Sequence, residues 1–509
     1  MDLPRMKRPI SRINDNKVHT CGLPCEHLDD SRKEEKKPKD RVTKRYTVER
    51  RLGARNDVNI AGEKVIELLE SLRSGVESGD FEAISEALHR MRGALYSTED
   101  VDTVVSGNIY TLMDACLELE EFDIQHSVLW ILSNIACGDS NHVAEVAARL
   151  EKISPVIKKA NVAEETLVQG LRLLANVAGD SPEYRDLVVR HFSFEALRKS
   201  FEGNSSAQVL EDAVRLLSNI ARQGPRVGAR MGRKILESFY HILGFLHCEC
   251  RVVSEICKAL LNVLHYLEEP STLNLLASLK IMLVMARHPY TVQCTQSCLG
   301  DLVLLIADLL STSDELCEEF IDQGILNPLS IVLHGEICEL YQLACFAIAN
   351  VFAGNPALIQ RIINKDLLKV VFHVLEHGDL EVRREAAIAL CCFVENADHR
   401  QLLYAIKKGM LPPVVRMLDH FDASIVTDIL ASLLRLLCRA KDRKMEDELI
   451  RGMDEAGIVE RLQTLVDHDH HPISQQAEGF IHLYLVPRGM LEVWVDASQF
   501  DPPSEEDAN

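Results

Sequence analysis

The feature that most constrains the fold of this chain is an asparagine that recurs at nearly constant spacing within apolar segments. Its clearest instance is VLWILSNIACGDS, where Trp130 and Asn134 are four residues apart. Weaker versions follow, and the recurring positions are Asn134, Asn176, Asn219, Asn262, Asp308, Asn350 and Cys392. The intervals between them are 42, 43, 43, 46, 42 and 42 residues. So regular a period predicts an array of similar units in which each unit buries its apolar face against its neighbours.

A second marker has the same period. Gly107, Gly324, Gly409 and Gly457 each precede an apolar segment with helical spacing, and the gap of 85 residues between Gly324 and Gly409 equals two repeats. A period of about 40–47 residues is typical of armadillo and HEAT arrays. We therefore predict an all-α, right-handed superhelical armadillo-repeat solenoid of about ten repeats over residues 61–486.

Composition agrees with a helical array. Hydrophobic residues make up 47% of the chain and aromatic residues only 5%, so leucine fills the core. The 15 cysteines include Cys257, Cys345, Cys391 and Cys392 within apolar helical patterns, which indicates reduced core residues. The opening residues lack the apolar core of a secretory signal, so cytosolic synthesis is expected. The apolar stretch LACFAIANVFAGNPALIQ is broken by Asn, Gly and Pro, so no transmembrane segment is expected.

Charge is divided unevenly along the chain. Residues 1–55 carry 16 Lys/Arg and nine Asp/Glu, a balance of +7, while the net charge of the chain is −21, so the remainder carries −28. We expect residues 1–60 to be a basic, largely disordered arm that binds another protein or folds back on the body. Residues 487–509 form an acidic tail, also expected to be disordered. An acidic body repels phosphates, so no direct binding of nucleic acid is expected.

The sequence does not predict an enzyme, a cofactor or a metal site. It contains no Gly-rich phosphate loop and no nucleophile elbow in a plausible context. Cys21 and Cys25, flanked by His19 and His27, are not followed by a second ligand pair at zinc spacing. The DHDHH segment at 467–471 is better explained as a polar loop between helices.

Several segments closely resemble importin alpha (karyopherin alpha). They are NVAGDSPEYRDLVV (176–189), ACFAIANVFAGNPALIQ (344–360), REAAIAL (384–390) and EAGIVERLQTLVDHDHHPISQQAEGFIHLYL (455–485), and they follow the order of that family. The resemblance implies a nuclear import adaptor of cytoplasm and nucleus. Its expected partners are importin beta, cargo proteins with basic localisation signals and the export factor that recycles the family. The importin-beta-binding segment would contain Lys36, Lys37, Lys44, Arg45, Arg50 and Arg51.

The family groove has a physical explanation. A Trp and an Asn at i and i+4 lie on one helix face, so successive repeats would line a concave groove with amides and indoles. The amides would clamp an extended peptide, and the indoles would hold Lys and Arg side chains by cation–π contact. The resemblance assigns Trp130, Asn134, Asn176, Asp180 and Asn219 to the major peptide site, and Phe346, Asn350 and Glu385 to the minor site.

The chain departs from this pattern at most tryptophan positions. Arg172, Arg215 and Lys258 occupy the next three Trp positions, and like charges oppose a Lys/Arg-rich signal. In the second half, Ile388 and Cys392 replace one Trp/Asn pair, and Leu304 and Asp308 replace an Arg/Asn pair. We therefore predict altered or weakened cargo specificity.

Alternatives remain open at this point. The three cations are solvated and without a binding role, or they pair with Asp180 and other acids and leave a narrower basic-peptide site, or they select acidic or phosphorylated segments. The asparagines line the groove or brace their own repeats. The whole chain is a divergent import adaptor, or an armadillo scaffold that organises other complexes at the nucleus or at a membrane surface.

Overall fold

The computed structural model describes residues 62–95, 98–159, 162–195, 197, 206–222, 229–243, 250–264, 296–311, 313–335, 337–420, 422–440 and 443–489. The predicted basic arm, with all six of its candidate binding residues, lies outside the described residues, as does the predicted tail from residue 490. The described helices belong to two compact units, one of which ends at residue 264 and the other of which begins at residue 296.

The described part of the first unit is built from α-helices alone. They are α1 (Gly62–Ser78), α2 (Phe81–Ala94), α3 (Thr98–Ser106), α4 (Ile109–Glu118), α5 (Phe122–Ile135), α6 (Ser140–Ala147), α7 (Leu150–Lys158), α8 (Glu164–Ala178), α9 (Pro182–His191), α10 (Ala207–Arg222), α11 (Ala229–Leu243) and α12 (Cys250–Leu264).

The second unit continues the same pattern and adds three short 3-10 helices, Cys338–Leu340, Met417–Asp419 and Val486–Arg488. Its α-helices are α13 (Gln296–Leu310), α14 (Asp314–Asp322), α15 (Leu326–His334), α16 (Tyr341–Phe352), α17 (Pro356–Asn364), α18 (Leu367–His377), α19 (Leu380–Asn396), α20 (His399–Lys407), α21 (Leu411–Arg416), α22 (Ala423–Arg439), α23 (Arg443–Glu455), α24 (Ile458–Val466) and α25 (His471–Leu485).

One helix of each repeat forms the continuous spine of each unit. We call these the third helices: α2, α5, α8, α10 and α12 in the first unit, and α13, α16, α19, α22 and α25 in the second. Each third helix packs against the next one in its own unit. The recurring Asn positions all fall near the carboxyl ends of these helices, which confirms the repeat period deduced from the sequence. The fold of each unit is therefore an all-α solenoid.

Local sequence signals set where the helices begin. The Asp139 carboxylate accepts hydrogen bonds from the backbone N–H groups of Asn141 and His142 at the start of α6. Asp398 and Gln401 form a reciprocal capping box at the start of α20. Such caps satisfy N–H groups that have no partner within the helix. These caps allow α6 and α20 to begin within a few residues of the end of the preceding helix, as the short connections of a stacked repeat require.

The predicted glycine marker is a left-handed turn in three of its four instances. Gly324, Gly409 and Gly457 have φ of +95°, +88° and +71°. At the first marker the left-handed residue is instead Asn108, with φ of +60°. Gly107 has a different role, since a Cβ there would lie 2.6 Å from Cδ1 of Leu69 on α1. A side chain at Gly107 would displace the Leu69 methyl group, so glycine here favours close packing rather than a left-handed dihedral angle.

The core is aliphatic, as the composition indicated. Cys257, Cys345, Cys391 and Cys392 are buried and form no disulfide, and burial raises the pKa of the Cys345 thiol to about 12. In the part of the chain that the structure describes, no helix is both long enough and apolar enough to cross a membrane.

Candidate functional site

Three of the Asn positions share one feature, a hydrogen bond between neighbouring repeats. These three side chains are almost fully buried, and each Nδ2 donates to a main-chain carbonyl of the preceding third helix. The pairs are Asn176 to Ser133 at 3.1 Å, Asn219 to Ala175 at 2.7 Å and Asn350 to Ala307 at 2.8 Å. In every case the acceptor is the residue just before the Asn position of the preceding repeat.

The end of each third helix explains why this bond forms. The last carbonyls of a helix have no partner within it. At the end of α5 the N–H of Cys137 donates to the carbonyl of Asn134, and the carbonyl of Ser133 accepts from Cys137 Sγ at 3.4 Å and from the Asn176 amide of the next repeat. At the end of α8 the carbonyl of Ala175 accepts from the Gly179 N–H at 3.0 Å as well as from the Asn219 amide. The amides therefore link one repeat to the next, whereas the alternatives considered from the sequence were bracing within a repeat and lining of a groove.

The positions four residues before the Asn positions lie closer to the surface. We term them the slot positions; those in the described third helices are Trp130, Arg172, Arg215, Lys258, Leu304, Phe346 and Ile388. All except Arg172 are partly exposed, whereas Asn134, Asn176, Asn219 and Asn350 beside them are buried. The predicted Trp/Asn pairs thus share a helix face but differ in depth. A ligand on this face meets the slot side chains before the amides.

Trp130 is already in contact with a cation of its own chain. The guanidinium carbon of Arg92, on α2, lies 4.0 Å from the centroid of the Trp130 ring. His126 meets the same indole edge-on at 5.9 Å, and Phe122 stacks on His126 at 6.1 Å. Burial and the charge of Arg92 lower the pKa of His126, so this ring is neutral at pH 7. The sequence indicated an open indole slot, but one face of Trp130 is covered.

Arg172 is a buried member of an ion pair and not a solvated cation. Its Nε donates to Oδ2 of Asp212 on α10 at 3.0 Å, and Asp212 has no exposed surface. Gln208 also donates to Asp212. Burial raises the pKa of Asp212, while the positive charge of Arg215 opposes that shift. The alternative in which all three slot cations are solvated does not hold for Arg172, because Asp212 reaches it from the next repeat.

The other two slot cations also face acids. Arg215 Nη2 lies 3.5 Å from Glu211 Oε1, and Lys258 Nζ lies 3.3 Å from Glu255 Oε1. Both pairs are within one helix and partly exposed, so each contributes little to stability. The slot cations therefore pair with Asp212, Glu211 and Glu255. Pairing with Asp180 and the narrower basic-peptide site of the second alternative stay predictions.

Asp180 lies between two neighbouring repeats of the first unit. Its side chain is largely buried and accepts a hydrogen bond of 3.0 Å from Oγ of Ser140. Ser140 begins α6, one repeat earlier. Asp180 thus has a role in joining two repeats, and its assignment to the major peptide site stays a prediction.

In the second unit, Phe346 is partly exposed and Asn350 lies beneath it. The Glu385 side chain is 15% exposed, and its Oε1 lies 3.4 Å from Nη1 of Arg384. Arg384 in turn contacts Asp422 at 3.3 Å. An aromatic ring and an acid are therefore present on the third helices α16 and α19, as the sequence predicted, although the acid has a cation beside it.

Two residues of the site were missed by the sequence analysis. Asp212 gives no signal of its own, because an acid in an amphipathic helix is usually solvated. Arg92 precedes Trp130 by 38 residues, close to one repeat, and that spacing could have identified it.

Among the described residues, no three His, Cys, Asp or Glu side chains cluster closely enough to hold a metal ion, and that includes the DHDHH loop. Cys21 and Cys25 lie outside the described residues.

Similarity to known proteins agrees with this architecture. The chain is 24% identical to importin subunit alpha-1b of Oryza sativa subsp. japonica over 438 residues, which is 82% of this chain and 79% of that protein. It is 24% identical to importin subunit alpha-3 of Arabidopsis thaliana over 426 residues. Against importin subunit alpha-1 of Caenorhabditis elegans it is 27% identical over 184 residues, 36% of this chain and 35% of that protein.

The fold is also found among solved structures. The crystal structure of an engineered protein matches with a TM-score of 0.64 at 20% sequence identity, covering 83% of this chain and 98% of that one. No protein-family model matches the chain.

Proposed function

Because the chain is a divergent relative of the importin alpha subunits, we propose that it is an import-type adaptor with weakened affinity for basic signals. In this proposal a peptide segment of a cargo protein binds along the slot positions. Importin beta binds the basic arm, residues 1–60. The adaptor moves between cytoplasm and nucleus, and an export factor returns it. It is a binding protein and not an enzyme.

The observation that carries this proposal is the repeated, partly exposed slot face. The third helices α5, α8, α10 and α12 of the first unit and α13, α16 and α19 of the second each carry one slot side chain, 42 or 43 residues apart within a unit, and all of these except Arg172 are partly exposed. A regular series of side chains on stacked helices suits an extended peptide, whose own side chains also recur at a constant rise. Trp130 and Phe346 supply aromatic surface in the two units, and Asp180 and Glu385 supply one carboxylate in each unit.

The weakened affinity follows from charge. Arg172, Arg215 and Lys258 bring three cations to consecutive repeats where an indole would hold a Lys or Arg stem. Loss of one cation–π contact costs about 0.5–2 kcal/mol. The acids that neutralise these cations, Asp212 and Glu211 among them, are then not available for cations of a ligand.

The proposed role of the arm is tested by measuring whether it binds importin beta. Immobilised residues 1–60 are expected to retain importin beta from solution at low salt, and an arm with Lys44, Arg45, Arg50 and Arg51 changed to Glu is expected not to. A matched arm with four of its acidic residues changed to Gln controls for the number of substitutions. If the unaltered arm retains no importin beta at low salt, the adaptor proposal fails.

The slot face is tested by peptide binding to the full chain. A fluorescent Lys/Arg-rich peptide is expected to bind, and Glu385→Gln is expected to weaken it about threefold or more by removing a carboxylate from the face. Glu381→Gln, an exposed acid at the start of the same helix, is the control and should change the affinity little. Asn176→Ala is unsuitable here because its amide holds two repeats together.

A second candidate function is an armadillo scaffold that no longer carries cargo and organises another complex at the nucleus or at a membrane surface. The observation that favours it is the pairing of each slot cation in the first unit with an acid of the chain itself. Preference for an acidic peptide over the basic one in the same assay would favour this function over import.

A further inference from the structure

We propose that Arg92 is a built-in competitor that occupies the Trp130 slot and determines how strongly basic peptides bind there. The inference rests on the proposed function, since it assumes that the slot face binds peptides. It concerns specificity: the chain supplies from α2 the same chemical group, a guanidinium on an aliphatic stem, that a basic ligand would bring to the indole.

The contacts of Arg92 place its charge on the indole rather than on an acid. Its guanidinium carbon is 4.0 Å from the Trp130 ring centroid, within the distance at which a cation is attracted to an aromatic face. Its Nη1 reaches only Ser127 Oγ, at 3.5 Å, and its Nε is buried without a hydrogen-bond partner among the described residues. Within the described chain, therefore, Arg92 has no carboxylate at ion-pair distance, unlike Arg172 with Asp212.

The surroundings hold the stack in place. Burial lowers the pKa of Arg92, while Asp123 at the start of α5 opposes this shift. His126 abuts the same indole from the side, and its pKa is lowered, so no second positive charge competes with Arg92 at neutral pH. Desolvation increases the strength of a cation–π contact relative to an exposed one.

The Arg92 stack lowers the apparent affinity for a basic peptide by an amount that can be calculated. A peptide cation can use the face of Trp130 only when Arg92 has left it, so the apparent affinity is reduced by the fraction of molecules with an open slot. A stack of ordinary strength leaves the slot open in about one molecule in 3 to one in 30. Removing the guanidinium is therefore expected to raise the affinity for a basic peptide by about 3- to 30-fold.

The test uses the full chain with Trp494→Phe, which leaves Trp130 as the sole tryptophan. The probe is a fluorescein-labelled peptide of alternating Lys and Arg. Arg92→Gln should bind it about 3- to 30-fold more tightly than the parent, with Arg92→Lys between the two. Arg90→Gln, an exposed arginine on the same helix, removes the same charge and should stay within about twofold of the parent. The gain should vanish in the Arg92→Gln, Trp130→Ala double variant.

A second readout does not depend on any peptide. Acrylamide, a neutral quencher, should quench Trp130 more strongly in Arg92→Gln than in the parent or in Arg90→Gln, because the indole face is uncovered. Equal quenching in folded protein, as judged by circular dichroism, overturns the inference.

The peptide result separates this inference from the proposed function. If the parent binds the peptide and Arg92→Gln binds it equally, or if the gain survives without Trp130, the inference is overturned and the proposed function stands. If neither protein binds the peptide, both are overturned.

Discussion

The side-chain amide of Asn219 donates a 2.7 Å hydrogen bond to the main-chain carbonyl of Ala175, which lies 44 residues earlier on the neighbouring third helix. The same relationship joins Asn176 to Ser133 and Asn350 to Ala307. In a solenoid, stability is approximately a sum of repeat terms and interface terms. These amides therefore act on the interface term, because each one donates a hydrogen bond to a carbonyl of the repeat before it.

Substituting the bracing amides is expected to destabilise the array. Asn176→Ala removes the side-chain amide that donates to Ser133 O at the end of α5, and loss of one such hydrogen bond costs about 0.5–1.5 kcal/mol. The urea midpoint followed by circular dichroism should fall accordingly. Asn141→Ala, at an exposed position on α6, is the control and should change stability by less than about 0.5 kcal/mol. An equal shift in both variants would contradict the bracing role.

The buried pair of Arg172 and Asp212 leads to a second prediction. Arg172→Met leaves Asp212 buried without that partner, and breaking a buried pair from one side costs about 3–5 kcal/mol. Arg215→Met, which removes a partly exposed partner of Glu211, should cost about 1 kcal/mol or less. Both are measured by urea unfolding.

The double variant Arg172→Met, Asp212→Asn tests whether the uncompensated charge of Asp212 causes the loss of stability. Since Asn carries no charge, it should recover a large part of the stability lost in Arg172→Met. Failure to recover any would mean that the packing of the arginine stem, and not the uncompensated acid, is what matters.

The repeat spacing predicted the stack because an array repeats one packing solution. The 42-residue interval from Asn134 to Asn176 fixed which helices are third helices, and the structure has them packed in that order. Depth could not be predicted in the same way. Residues at i and i+4 share a helix face, yet Trp130 is partly exposed and Asn134 is buried.

Side-chain contacts with residues of other repeats could not be predicted from the sequence either. Arg172 looked like a surface cation in its own helix, and only the placement of Asp212 on α10 makes it a buried pair. Trp130 looked like an open slot, and only α2 shows what covers it. Sequence periodicity gives the register of a solenoid, whereas side-chain contacts across repeats depend on the three-dimensional packing.

His126 should give the first unit a stability that depends on pH. Burial and the charge of Arg92 lower its pKa, so the folded state holds the neutral ring more strongly than the unfolded state does. A lowered histidine pKa means that stability is retained at high pH and lost as the pH falls below about 6.5, where the unfolded ring takes up its proton. The loss between pH 7.5 and 5.5 is read from urea midpoints.

Variants identify the source of that dependence. His126→Gln should reduce the loss between the two pH values, whereas His89→Gln, at an exposed position on α2, should not. Arg92→Gln should also reduce it, because one of the two causes of the lowered pKa is removed. A pH dependence unchanged by His126→Gln would contradict the assignment.

Deleting residues 1–60 should change the affinity of the chain for a basic peptide by less than about threefold. A tethered basic arm competes with free peptide at an effective concentration that can reach millimolar. Its Lys44-Arg45 and Arg50-Arg51 pairs, however, would meet the same like charges at Arg215 and Lys258 that would weaken the peptide. The arm is then a poor competitor, so its removal should release little affinity.

The comparison is made by fluorescence anisotropy on the full chain, on the deletion and on a full chain whose arm carries Gln at its six candidate basic residues. The last protein keeps the tether and loses the charge, so it should match the deletion. A gain of tenfold or more in both altered proteins would mean that the arm occupies the slot face effectively, and that the cations there do not prevent a basic segment from binding.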